Sequence, residues 1–297
     1  MPHTVPAPAL RALVAHLVDY AGLFPPAGLP MAEAVAEYAA YREAPEHWML
    51  GRFVVPASRL DELVQASAAL EITSPWHLAV LAGADVSDAM HAVRALNAAQ
   101  RGRLVADVVE AKATTVDGIA SAARAVGPDA TLYVELPHTA EPRELLAAVK
   151  VAGARAKVRT GGLTADAFPT AAQLARFIAR CAEAGVAFKA TAGLHHPVRA
   201  EHRLTYEADA PHGTMFGFLN VFAAAAFARE GMPATHLADL LEERDALALA
   251  FGDDGLRWHG HAVSLARLAE ARASFAIAFG SCSFREPVDD LHQLALL

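Results

Sequence analysis

Gly185-Val186-Ala187-Phe188-Lys189-Ala190-Thr191-Ala192-Gly193-Leu194-His195-His196-Pro197 is an apolar run that ends on a lysine and opens into a Gly/His loop. Residues 186–190 read as a buried strand, too short for a helix and followed at once by a turn. A helical period at 171–184 precedes it, and another short run, 156–159, precedes that helix. Strand, helix and strand in this order make a parallel pair joined by a crossover.

The same period extends in both directions. Candidate strands lie at 53–55, 77–81, 104–109 and 132–136, with helices near 58–70, 87–99, 116–126 and 143–151. Beyond the sixth strand the pattern predicts helices near 214–230, 235–250 and 264–272, strands at 256–259 and 275–279, and a last helix near Pro287. Eight parallel strands alternating with helices predict a closed (β/α)8 barrel of the TIM type, in the α/β class. A doubly wound sheet is the alternative, but the chain has neither a G-x-G-x-x-G turn nor a Walker sequence. Residues 1–50 read as an N-terminal helical cap. It has helices at 8–18 and 31–42, the first stopped by Asp19-Tyr20-Ala21-Gly22-Leu23-Phe24-Pro25-Pro26. On this reading residues 1–297 form one barrel domain.

With 297 residues, 54% hydrophobic and 20% charged, the chain can bury a large core. Its 25 Lys and Arg against 33 Asp and Glu give a net charge of -8, and the basic residues are scattered. Nucleic acid is therefore not an expected partner. The longest apolar run, 216–228, is too short to cross a bilayer, and no basic segment followed by an apolar one opens the chain, so a cytoplasmic protein without membrane contact is expected. Two cysteines, Cys181 and Cys282, read as reduced thiols. A homo-oligomer is possible.

Residues at the C-terminal ends of barrel strands line the mouth. Four consecutive runs end in ionisable groups: Glu110 and Lys112, Glu135, Lys157 and Arg159, then Lys189. Because strand side chains alternate, Glu110 shares a face with Lys112, Tyr133 with Glu135, and Lys157 with Arg159. A lysine in an apolar strand must be paired, deprotonated or functional. This arrangement permits imine formation with a carbonyl compound. Lys189 would be the nucleophile, made neutral by burial and by the nearby cations Lys157 and Arg159, and Glu110, Glu135 or Lys112 would move protons. Asn220, the polar residue of its apolar run, is a further candidate for the mouth.

The segment Ala156-Lys157-Val158-Arg159-Thr160-Gly161-Gly162-Leu163-Thr164, with the helix to Ala184 and the strand to Gly193, resembles strands five and six of deoxyribose-phosphate aldolase. Phe279-Gly280-Ser281-Cys282-Ser283 is similar to that family's last strand. The resemblance implies a class I aldolase barrel with Lys189 as the imine lysine. It also implies that backbone near Gly280 and Ser281 cradles an anion; Arg159, Lys112 and Gly161 are further candidates to bind a small-molecule substrate with a carboxylate or phosphate. A second lysine on strand seven belongs to the same pattern, and the run Leu256-Arg257-Trp258-His259-Gly260-His261 has none. The whole chain also resembles a bacterial family without an assigned activity, through 19–26, 189–197 and 279–284. That likeness implies that the three stretches share one site.

Fourteen histidines supply the main alternative. Glu135 with His195, His196, His259 and His261 could hold a divalent metal such as Zn or Mn and support metal-dependent lyase or hydrolase chemistry. His195 or His196 could instead be the general acid or base beside an imine, with no cofactor. Adjacent in an extended chain, they would diverge, so one of them faces the mouth. The remaining alternative is a barrel that binds a small anion without catalysis.

Overall fold

The computed structural model describes residues 5–297. Eight parallel strands close into a barrel: β1 (Val18–Tyr20), β2 (Leu50–Pro56), β3 (Trp76–Leu81), β4 (Leu104–Lys112), β5 (Thr131–Leu136), β6 (Arg155–Arg159), β7 (Phe188–Thr191) and β8 (Ala276–Ser281). Each strand pairs with the next in sequence, and β1 pairs with β8 to close the ring. Helices α1 (Pro8–Val14) and α2 (Met31–Glu43) flank β1. The next connections carry α3 (Leu60–Ser67), α4 (Val86–Gln100), α5 (Val116–Val126), α6 (Arg143–Val151) and α7 (Ala171–Ala184). The longest, from β7 to β8, holds α8 (Phe218–Arg229), α9 (Ala234–Glu242) and α10 (Leu265–Ser274), and α11 (Arg285–Gln293) follows the barrel. The fold is an α/β (β/α)8 barrel of the TIM type.

Two expected elements change places. Residues 18–20, expected as the end of the first cap helix and the turn that stops it, are the first barrel strand, and all three are buried. The run expected as the seventh strand pairs antiparallel instead. Gly255–Trp258 is the middle of a separate three-stranded sheet with Ala250–Phe251 and His261–Ser264. The count of eight survives, but 156–159 and 186–190, expected as strands five and six, belong to β6 and β7. The start of the expected helix at 214 is likewise a strand, His212–Met215, in a hairpin with Ala200–Arg203.

Helix α7 shows how local sequence places β7. Thr170 and Gln173 form a reciprocal capping box, and Gly185 ends the helix at φ 66°, a conformation that favours glycine. The apolar face, including Phe177 and Ile178, packs inward, and the Phe177 ring meets Phe188 edge-on at 5.7 Å. Helix α8 is apolar on every side and is buried from Phe218 to Ala228. Its Asn220 does not reach the mouth: Oδ1 accepts from the Arg199 N–H at 3.0 Å, and Nδ2 donates to the Leu240 and Glu243 carbonyls. A buried amide with three such bonds is a structural pin. Buried Arg272 acts similarly before β8, donating to the carbonyls of Leu13, Ala15, Ala276 and Ile277 and so tying α10 to the end of α1.

Candidate active site

Asp19, Glu110, Lys157 and Lys189 are all buried at 5% exposure or less, and they meet inside the C-terminal mouth of the barrel. Lys189 Nζ donates to Asp19 Oδ2 at 2.5 Å and to Glu110 Oε1 at 2.6 Å. Lys157 Nζ lies 2.6 Å from Glu110 Oε2 and 3.0 Å from Glu135 Oε2. Glu110 thus gives one oxygen to each lysine. Strand register explains the row: Lys112, Glu135, Lys157 and Lys189 are successive cross-strand partners on β4 to β7. Three carboxylates facing two ammoniums leave the group one negative charge.

Asp19 comes from β1 and was not anticipated. Its second oxygen, Oδ1, accepts the Arg52 N–H at 2.7 Å. That approach needs glycine at 51, because a Cβ there would lie 2.4 Å from Asp19 Oδ1. The usable signal in the sequence is an acid between Val18 and Tyr20, in an otherwise apolar run.

Burial alone would lower the Lys189 ammonium, but Asp19 and Glu110 outweigh it and raise it. The expected depression of Lys189 by neighbouring cations is therefore reversed, because two carboxylates stand closer to it than any cation. Burial would likewise raise the Glu110 carboxyl, yet Lys157 and Lys189 hold it down to about 2. The Tyr133 ring lies 5.7 Å from Lys189 Nζ and adds an aromatic face to this fixed charge.

Two cavities meet at this group. The smaller, about 320 Å³, is lined by Lys189, Lys157, Arg159, His195, Gly280 and Cys282 among others. The larger, about 690 Å³, lies over the ends of β2 to β4, and Lys157, Glu110, Glu135 and Lys112 line both. Lys112 is largely exposed and stands 3.5 Å from Glu135. Gly161 lines neither cavity; its missing Cβ lets the loops after β6 and β7 touch, since a Cβ there would lie 3.0 Å from Gly193 Cα and 2.5 Å from the Phe168 ring. The Thr160 hydroxyl joins the same loops by donating to the Ala192 carbonyl at 2.6 Å. Ala192 has φ 63°, a conformation that costs a non-glycine residue about 1 kcal/mol or more. Ser281 also stays outside both linings. Its hydroxyl accepts from the Ser283 N–H at 3.3 Å, so this turn holds its own backbone.

The histidines separate into unrelated settings. His195 Nδ1 faces Glu286 Oε2 at 2.9 Å and His196 Nδ1 faces Asp290 Oδ2 at 2.6 Å, two acids one turn apart on α11. Only His195 of the pair lines the small cavity. His196 stacks on His202 at 3.4 Å between ring centroids. His259 pairs with Glu243 beside the separate sheet, and His261 belongs to that sheet's third strand. The proposed metal set of Glu135, His195, His196, His259 and His261 is therefore not assembled. Among the described residues no three His, Cys, Asp or Glu side chains are grouped to hold a metal ion. The reason is topological: the run expected as strand seven is not a barrel strand, so His259 and His261 belong to the separate sheet and do not reach the mouth.

Burial would lower His195, but Cys282 and Glu286 raise it to about 10. A raised histidine contributes stability fully below its ordinary value of about 6.5, and this is lost as pH rises through about 10. A thermal-melt series from pH 6 to 10 should show wild-type Tm falling more steeply than that of His195→Gln. Parallel curves would remove His195 as the titrating group.

Cys282 Sγ lies 4.0 Å from His195 Nδ1 and 3.5 Å from the Tyr206 hydroxyl, in the wall of the small cavity. Cys181 is sealed in α7, where burial pushes its thiol up. Limited iodoacetamide treatment of folded protein followed by peptide mapping should label Cys282 well before Cys181. Equal labelling would contradict this ordering.

The fold and site define a TIM-type barrel with a buried lysine pair at its mouth. No protein-family model matches the chain, and no curated protein is similar to it. No helix among the described residues is long and apolar enough to cross a membrane.

Proposed function

We propose that the mouth is the active site of an aldolase-type lyase that acts on a small anionic carbonyl compound through a lysine imine, and that Lys157 is the imine lysine. The observation that carries this reading is Lys157 itself, a buried amine held by two carboxylates where two cavities join. Lys189 is less suited to the nucleophile's role, because it lines the small cavity but not the large one, and its partner Asp19 is also committed to the Arg52 N–H. The aldolase likeness assigns the imine to Lys189 by motif; by strand number, with one lysine on strand six and a second on strand seven, the same pattern assigns it to Lys157 of β6 with Lys189 on β7.

In this mechanism Lys157 passes a proton to Glu135, and its lone pair forms a C–N bond to the carbonyl carbon. The carbonyl electron pair moves to oxygen, which takes a proton from the attacking nitrogen to give a neutral carbinolamine. Glu135 then returns its proton to the carbinolamine hydroxyl, which leaves as water. Lys189 remains a fixed positive charge beside Glu110. Arg159 and His195 line the small cavity, and in this reading they hold the substrate's carboxylate or phosphate.

Borohydride reduction in the presence of small 2-oxo acids and phosphorylated aldehydes, followed by peptide mapping, tests the reading. A reduced adduct on Lys157 is expected. An adduct on Lys189 would move the nucleophile one strand, and the absence of any adduct across the panel would favour a barrel that only binds its anion.

A further inference from the structure

The two cavities differ in chemistry, and that difference bears on what the imine is joined to. The small cavity contains Lys189, Arg159 and His195. Away from the part it shares with its neighbour, the large one is walled by Pro56, Ala57, Ala82, Ala89 and Ala92, and among the described residues its only cations are Lys157 and Lys112, both on the shared wall. Away from that wall its ionisable groups are Asp85 and Asp88, at the start of α4. Asp85 Oδ1 already accepts the Ser87 and Asp88 N–H groups, so the helix end offers an anion two carboxylates and occupied donors. A cavity of about 690 Å³ is of the size that holds an organic ligand, and it is roughly twice its neighbour of about 320 Å³.

We infer that the large cavity is a second substrate subsite for an uncharged, largely apolar aldehyde, the fragment released from or joined to the imine-bound anion. The inference rests on the imine reading for its chemistry and on the cavity's lining for its specificity. In the cleavage direction a hydroxyl two carbons from the imine carbon loses its proton to Glu135. The carbon bearing it becomes the aldehyde carbonyl as the carbon–carbon bond breaks. The electron pair of that bond moves into the iminium and leaves a neutral enamine on Lys157. Electrons balance within the substrate, and hydrolysis of the imine after carbon protonation consumes one water. Glu135 and Lys157 face both cavities, so the bond that breaks would span their junction.

The test uses full-length wild-type protein and the variants Ala92→Phe, which fills the cavity from α4, and Asp88→Lys, an exposed change that reverses the charge there. With a 2-oxo acid as donor, kcat/KM should rise about tenfold or more from a two-carbon to a six-carbon or aromatic aldehyde. Ala92→Phe should lower that ratio by a similar factor, and Asp88→Lys should reduce KM severalfold for an aldehyde carrying a carboxylate. Benzyl alcohol binding, followed by saturation-transfer NMR, reads the subsite without turnover and should be lost in Ala92→Phe. Equal alcohol binding in wild type and Ala92→Phe overturns the subsite, as does a flat or anion-preferring aldehyde series in protein that still forms the borohydride adduct. Loss of the adduct with intact, Ala92-dependent alcohol binding would instead sink the imine reading and leave the apolar subsite standing.

Discussion

Replacing Lys157 by methionine is expected to abolish borohydride adduct formation and to lower kcat on the order of a thousandfold or more while the barrel stays folded. Methionine has nearly the length of lysine and lacks the amine, so the loss isolates the nucleophile from its packing. The carboxylates left behind keep partners: Glu110 retains Lys189 at 2.6 Å, and Glu135 retains Lys112 at 3.5 Å. Circular dichroism and a denaturant melt should therefore show a folded protein with modest loss of stability. Mass mapping of the reduced digest gives the catalytic half of the result. A variant that still traps substrate on Lys189 would reverse the assignment of the two lysines.

Lys189→Ala should behave differently, with the main effect on folding. It removes the ammonium between Asp19 and Glu110, both almost fully buried, and leaves three carboxylates facing one cation. Breaking a buried pair by deleting one partner costs about 3–5 kcal/mol, a large share of the roughly 5–15 kcal/mol that separates folded from unfolded states. The loss should depend on pH in a defined direction. Glu110 is held down to about 2 by Lys157 and Lys189 against the raising effect of burial. A depressed carboxyl contributes stability above its ordinary value of about 4.3, and this is lost as pH falls toward 2. Removing Lys189 weakens that contribution. The gap in denaturant midpoint between wild type and variant should be widest at neutral pH and should narrow between pH 4 and pH 2. A gap that widens on acidification would contradict the assignment of Lys189 as the partner of Glu110.

These two lysines also mark how far linear reading carries. Period and length suffice for α5, α6 and α7, whose expected bounds coincide with those found, because each is an amphipathic segment with capping or breaking residues at its ends. Sequence pattern also places Glu110, Lys157 and Lys189 within β4, β6 and β7. Failure begins where an element is defined by its partner. Three residues, Val18–Tyr20, are too few to show a period, and they are a strand only because β2 and β8 lie on either side. Gly255–Trp258 has the composition of a buried strand but pairs antiparallel with its own neighbours, a choice made by the turn at His259 and Gly260.

From residue order alone follow the barrel class, the helices around it and a set of charged strand ends, since all of these depend on local period and side-chain alternation. Only the folded chain decides which charges touch. Asp19 lies 170 positions from Lys189 and reaches it because β1 closes the ring. Glu110 bridges two lysines from two other strands, and the histidines expected to share a metal separate because their segment leaves the barrel. Contacts across a closed sheet depend on register and strand count. A strand gained near the N-terminus therefore brings Asp19 to Lys189, and another lost near residue 256 takes His259 and His261 away from the mouth.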